Sequence, residues 1–170
     1  MASETKFGED FGFSEAEVDM LYQRYQSKCI EQREKMFVTR EGLRTWYDGY
    51  YTKTGERMYN PRSVTASLSN NNLGNYWTSS GPYDEIFYYI EHNVDDVRKD
   101  LALMVSGEGI SAKIQEYAAT SMNLISRGEI FSAMVVYGFL SYYKGKVYIP
   151  NKELMDKFDE MLQKEPSLGY

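Results

Sequence analysis

Ser141-Tyr142-Tyr143-Lys144-Gly145-Lys146-Val147-Tyr148-Ile149-Pro150-Asn151 is the stretch that decides how this chain is read. Two runs of aromatic and β-branched residues flank Lys144-Gly145, and a two-residue turn carrying glycine is a strong short-range signal for a β-hairpin. Pro150 stops the second strand. Asn151 then caps a helix carried by Leu154, Phe158, Met161 and Leu162, which fades before Pro166. Upstream, Ile130, Phe131, Met134, Val135 and Tyr137 set an apolar stripe on a helix over about 129–140. Helix, hairpin and helix over 129–162 make the C-terminal part winged-helix-like in outline, an analogy of shape.

Working back along the chain, Ile86, Phe87, Ile90, Val94, Val97, Leu101 and Met104 predict one long helix over 83–105, ended by Gly107 and Gly109. A short strand follows at 110–114, and 115–127 reads equally as loop or helix. Asn60 and Pro61 open a helix as N-cap and first helical residue, and 69–74 is a loop. The aromatic residues from Trp46 to Tyr59, with turn glycines Gly49 and Gly55 between them, predict a first small hairpin after a short helix at 40–47. Ser14 and Glu17 form a capping box for an amphipathic helix over 14–34. The expected fold is mainly α (α+β): a flexible lead-in at 1–12, then a single helical domain at 13–165 with two small β-hairpins.

Composition removes several functions. The chain has 170 residues, 19 basic and 25 acidic side chains and a net charge of −6, which argues against a general binder of phosphate backbones. No run approaches the ~18 apolar residues of a membrane span. Residues 1–10 hold no apolar stretch of the kind a secretory signal needs, so a cytoplasmic protein is expected. Cys29 is the chain's one cysteine, which rules out an internal disulfide and reads as a small buried hydrophobe. With 16 Tyr and 8 Phe, the core should be strongly aromatic.

Catalytic chemistry is hard to place. Nucleophilic catalysis needs a base beside its nucleophile, and His92 is the sole histidine, on the surface of a predicted helix. One His and one Cys cannot supply a structural zinc site. No G-x-x-x-x-G-K-[ST] loop is present, and Lys144-Gly145-Lys146 is a hairpin turn. Asp84/Glu85, Asp95/Asp96 and Asp156/Asp159 could hold Mg²⁺ or act as acid and base, but solvated helical faces explain them more simply. Glu4-Thr5-Lys6 has the letters of a nuclease motif without the strand. The expectation is a protein without cofactor, metal or catalytic site; the alternative is a stand-alone effector or carboxylate/Mg-dependent hydrolase.

Adjacent tyrosines at 88/89 and 142/143 suggest recognition surfaces. In the second hairpin Tyr142, Lys144, Lys146 and Tyr148 alternate around the turn, and these four are the candidate binding residues. The stretch 127–165 carries six basic residues (Arg127, Lys144, Lys146, Lys152, Lys157, Lys164) against six acidic ones (Glu129, Glu153, Asp156, Asp159, Glu160, Glu165). That balance favours a protein partner over nucleic acid.

Four segments occur in a telling order: Phe11-Gly12-Phe13-Ser14-Glu15-Ala16-Glu17-Val18, Trp46-Tyr47-Asp48-Gly49-Tyr50, Met58-Tyr59-Asn60-Pro61-Arg62-Ser63-Val64, and Tyr76-Trp77-Thr78-Ser79-Ser80. They resemble the helical segment that follows the P-loop core in the AAA-ATPase-like family, and 135–153, ending Ile149-Pro150-Asn151-Lys152-Glu153, is similar to a later part of it. Arg62 stands where that family usually carries a bulky apolar residue. The sequence holds neither the P-loop core nor the nuclease-like domain of such proteins, so the resemblance implies ancestry rather than ATP hydrolysis. It implies a lid, regulatory or protein-binding domain whose partner is an ATPase core, another protein or a second copy of the chain. The motif residues also have plain structural work: turns at Gly49 and Gly55, a cap at Asn60-Pro61, and one aromatic cluster of Trp46, Tyr50, Tyr59 and Trp77.

Overall fold

Ser14 starts the first helix with a reciprocal cap, its hydroxyl accepting from the Glu17 amide (3.2 Å) while the Glu17 carboxylate accepts from the Ser14 amide (2.9 Å). This helix, α1 (Glu15–Gln32), ends at Arg33, whose left-handed φ of 57° turns the chain just short of the expected boundary. Thr39 caps α2 (Arg40–Tyr47) by accepting from the Gly42 amide at 2.9 Å. The first hairpin pairs β1 (Tyr50–Tyr51) with β2 (Arg57–Met58), and a backbone bridge joins Phe13 to Tyr59. Asn60 then caps α3 (Pro61–Asn70) as its sequence required, accepting from the Ser63 amide at 3.2 Å.

The computed structural model describes residues 12–52, 54–79, 81–93, 95–112 and 127–164. Within them the chain is mainly helical with two small antiparallel sheets, an α+β fold. Expectations for 1–11, for Ile114 and for most of 115–127 fall outside the described residues.

Over the expected helix at 83–105 the structure describes α4 (Gly81–Asn93) and α5 (Asp95–Val105), and Val94 lies outside the described residues. One expectation changes in the sheet. The second hairpin is part of a three-stranded sheet: β3 (Ile110–Ser111) pairs with β5 (Lys146–Tyr148), and β5 pairs on its other side with β4 (Ser141–Tyr143), giving the order β3-β5-β4. Gly107, at φ 104°, lets the chain reverse after α5 so that Ile110 lies opposite Val147. A third strand makes sense because a lone two-stranded ribbon is marginal in water. Between β3 and β4 lies α6 (Arg127–Val136), which stops at Gly138 (φ 77°) before the apolar Phe139 and Leu140 that made it look longer. Asn151 caps the last helix, α7 (Lys152–Lys164), accepting from the Leu154 amide at 3.3 Å.

Two packed groups result. One, under α1–α3, holds Val18, Tyr25, Cys29, Val38, Leu43, Tyr47, Tyr59 and Val64. The other, under α4–α7 and the three-stranded sheet, is led by Ile86, Ile90, Leu101, Ile130, Phe131, Val147, Leu154 and Phe158.

Candidate functional site

Glu153 sits on the first turn of α7 with no exposed surface. One carboxylate oxygen accepts from the backbone amides of Tyr76 (2.7 Å) and Trp77 (2.9 Å) and from the Ser63 hydroxyl (2.9 Å), which also reaches the other oxygen at 3.1 Å. The two amides lead into a single 3₁₀ turn, Trp77–Ser79, whose first N–H groups suit an anion, and the next amide, Thr78, donates to the Asn75 side chain at 3.3 Å. Burial pushes this carboxyl above its usual range, and the amides of Trp77 and Tyr76 and the Ser63 hydroxyl pull it part of the way back.

The motif residues close around that carboxylate. The Asn75 side chain donates to the Glu153 carbonyl (2.8 Å), and the Trp77 indole donates to the Tyr137 carbonyl (2.8 Å). Asn151 donates to the Asp48 carbonyl (2.8 Å), and the Tyr50 hydroxyl donates to the Gly138 carbonyl (2.7 Å). Gly49 has φ 104°, and a Cβ there would stand 2.2 Å from the Pro150 carbonyl oxygen, so both conformation and contact require glycine. Asp48 is buried and pairs with Arg57 at 3.1 Å. Burial raises its pKa, against the pull of the Gly49 amide and the Arg57 charge.

The aromatic motif residues do not form one cluster. Trp46 and Tyr59 belong to the core under α1–α3, whereas Tyr50 and Trp77 pack into the other. Both tryptophans are half-buried rather than enclosed. Trp46 lines a groove of about 240 Å³ with Asn75, Thr78, Ser79, Asp156, Lys157 and Glu160, and the Lys152 ammonium lies 5.2 Å from its ring centre.

The four candidate binding residues divide between the faces of their sheet. Tyr142 lies opposite Val147 and packs on the core, whereas Lys146 and Tyr148 share the outer face with Tyr143. Lys144 forms the turn. Two further neighbours, Tyr51 and Arg57, complete this outer face. Tyr51 stacks on Tyr143 at 4.5 Å and meets the edge of Tyr148 at 6.1 Å, and the Arg57 guanidinium lies over the Tyr51 ring at 6.0 Å. Tyr51 comes from the first hairpin, so ring packing between two separate sheets creates this surface and no sequence window could show it. Tyr88 is exposed on α4, and the side chain of Tyr89 lies outside the described residues.

Among the described residues no group of three or more His, Cys, Asp and Glu side chains is placed to hold a metal, and no helix is long and apolar enough to cross a membrane. Asp84 and Glu85 are exposed, Asp156 pairs with Lys152 at 2.9 Å, and Asp159 accepts from Gln163 at 3.1 Å. The side chains of His92, Asp95 and Asp96, and all of Glu4-Thr5-Lys6, lie outside the described residues. Cys29 is buried and unpaired with another cysteine.

No family model, no curated protein and no solved structure matches the chain.

Proposed function

We propose that this chain is a non-catalytic helical module, similar to the segment that follows the ATPase core in the AAA-ATPase-like family, acting as a lid, regulator or protein-binding domain in the cytoplasm. The bonding of Glu153 carries the reading. An acid, base or metal ligand must present an open face to its substrate, but this carboxylate has no exposed surface and accepts from three internal donors. Asn75, Asn151 and the Trp77 indole are engaged with backbone carbonyls in the same way.

The succession α5, β3, α6, β4, β5, with β5 central, supports a winged-helix plan, an analogy of topology. In DNA-reading relatives of that plan a helix enters the major groove. Here the equivalent helix, α6, buries Ile130, Phe131, Ser132, Ala133, Met134 and Val136, which leaves little of it to present to a groove. Protein contact is therefore favoured over nucleic acid.

The test is turnover of ATP and GTP by the purified chain, with thermal melts in Mg²⁺, Mn²⁺ and nucleotides. The expected result is no turnover and no rise in Tm. Sustained hydrolysis, or a metal- or nucleotide-dependent rise of the kind a true site produces by mass action, would replace this reading with a carboxylate-dependent hydrolase.

A further inference from the structure

The outer face of the three-stranded sheet is built as a rigid cationic tip. Lys144 and Gly145 both have positive φ, 50° and 80°, the backbone of a tight two-residue turn whose twist matches its strands. Beneath it the rings are fixed by one another: Tyr51 stacked on Tyr143, Tyr148 edge-on, and the Lys144 ammonium 5.2 Å from the Tyr143 ring centre. Gly55 presses on Tyr143 so closely that a Cβ would stand 3.1 Å from its hydroxyl oxygen, which ties the first hairpin to the second. Lys144 and Lys146 are exposed, and no carboxylate among the described residues makes an ion pair with either. On a chain of net charge −6, these two cations have no ion-pair partner among the described residues, and the Lys144 ammonium rests on the Tyr143 ring.

We infer that this tip is a docking surface for an acidic segment of a partner protein, with Lys144 and Lys146 pairing to its carboxylates. The inference rests on the reading of the chain as a binding module and names the partner's chemistry. Pre-organisation favours it, because the turn and the ring stack have already lost the freedom that binding would otherwise remove. Single-stranded nucleic acid fits less well. Its bases need open aromatic faces, and here Tyr51 and Tyr143 already stack on each other with cations over them. Its regular phosphates would also meet the acidic excess of the whole chain, whereas a short acidic segment needs only local pairing within about 8 Å.

The experiment is an amide NMR titration of the full chain with the peptide Glu-Glu-Leu-Glu-Glu-Leu-Glu-Glu, its all-Gln counterpart and twelve-residue oligo-dT. The double variant Lys144→Asn, Lys146→Gln is measured alongside. Asn tolerates the left-handed turn, so the variant removes charge while keeping the hairpin, and its Tm and near-ultraviolet spectrum verify that it folds. The expected result is saturable shifts at 143–148 and Arg57 with the Glu peptide, at least tenfold weaker with the Gln peptide and with the variant. Absence of shifts, shifts elsewhere, or equal binding by the variant would overturn the proposal. Tighter binding of oligo-dT would overturn it in favour of nucleic acid. A dimer in sedimentation equilibrium that the variant dissolves would make a second copy the occupant instead. Failure here with no turnover leaves the module reading standing; turnover would remove that reading whatever the peptide does.

Discussion

Under α1–α3 the buried tyrosines work as struts. The Tyr47 hydroxyl donates to the Gly74 carbonyl (2.8 Å) and accepts from the Gly74 amide (2.9 Å), and the Tyr25 hydroxyl donates to the Asn71 side chain while accepting from the Val38 amide at 3.1 Å. The Tyr59 hydroxyl donates to Glu15 (2.6 Å) and accepts from Arg40 (2.9 Å). Under α4–α7 the buried set is mostly aliphatic and phenylalanine, so contact area and shape dominate there. A braced core is specified by direction and a dry core by volume, and the two should fail differently. Glu153 spans the seam, since Ser63 lies on α3 and Glu153 on α7.

The largest effect belongs to the dry core. Phe131 is fully buried, and Phe131→Ala should cost about 3–5 kcal/mol through lost transfer energy and the cavity left behind. Tyr47→Phe keeps the ring and removes both bonds to Gly74, so about 1–3 kcal/mol is expected from the stranded backbone groups. Denaturant melts of the two variants test the contrast directly. If Tyr47→Phe cost more than Phe131→Ala, the distinction between braced and dry cores would be wrong.

At the seam, Glu153→Gln can keep an oxygen on the Tyr76 and Trp77 amides and turn its NH₂ to the Ser63 hydroxyl, which then accepts, so only about 1 kcal/mol should be lost as a carboxylate acceptor becomes a neutral amide. Acid distinguishes the two glutamates. Glu153 has a raised pKa in the fold, so its contribution is fully present below the unfolded value and is lost as pH rises through the folded one. Glu15 goes the other way. Burial pulls its pKa up, but bonds from Tyr59, Arg44 and Arg40 outweigh that and lower it from 4.5 to about 2. Its contribution is present above about 4.5 and fades as pH falls towards 2, and half-exposure with salt screening keeps it small. Stability measured against pH in Glu15→Gln should therefore lose part of its fall between 4.5 and 2. In Glu153→Gln the acid-side gain should vanish. Parallel curves for wild type and both variants would refute these assignments.

The caps at Ser14, Asn60 and Asn151 and the turn at Lys144-Gly145 were legible because each signal lies within a few neighbouring residues. What escaped was non-local. The strand at Ile110 was expected but its partner Val147 was not, and Tyr51 gains its stack from Tyr143, partners too far along the chain for a periodicity to record. Glu153 carries the letter of a solvated helical acid, and its burial follows from where Ser63 and the Tyr76–Trp77 amides arrive in space. Trp46 and Trp77, read from the sequence as parts of one aromatic cluster, are half-buried and pack on different cores. Trp46→Ala and Trp77→Ala should accordingly cost less than Phe131→Ala.

The smallest expected effect tests whether the hairpin tip is tuned for stability or for contact. Lys144 holds φ 50° beside Gly145 at φ 80°, a backbone that Asn-Gly prefers and that costs an ordinary L-residue energy. Lys144→Asn alone should therefore leave the fold as stable or raise it, by a few tenths of a kcal/mol to about 1 kcal/mol, after allowing for the lost ammonium over Tyr143. A lysine kept where asparagine would suit the turn better is what a contact residue looks like, because the charge is then worth more outside the fold than within it. If Lys144→Asn lowered the melting temperature, the ammonium–ring contact would outweigh the turn, and the lysine would belong to the packing of the hairpin rather than to its binding surface.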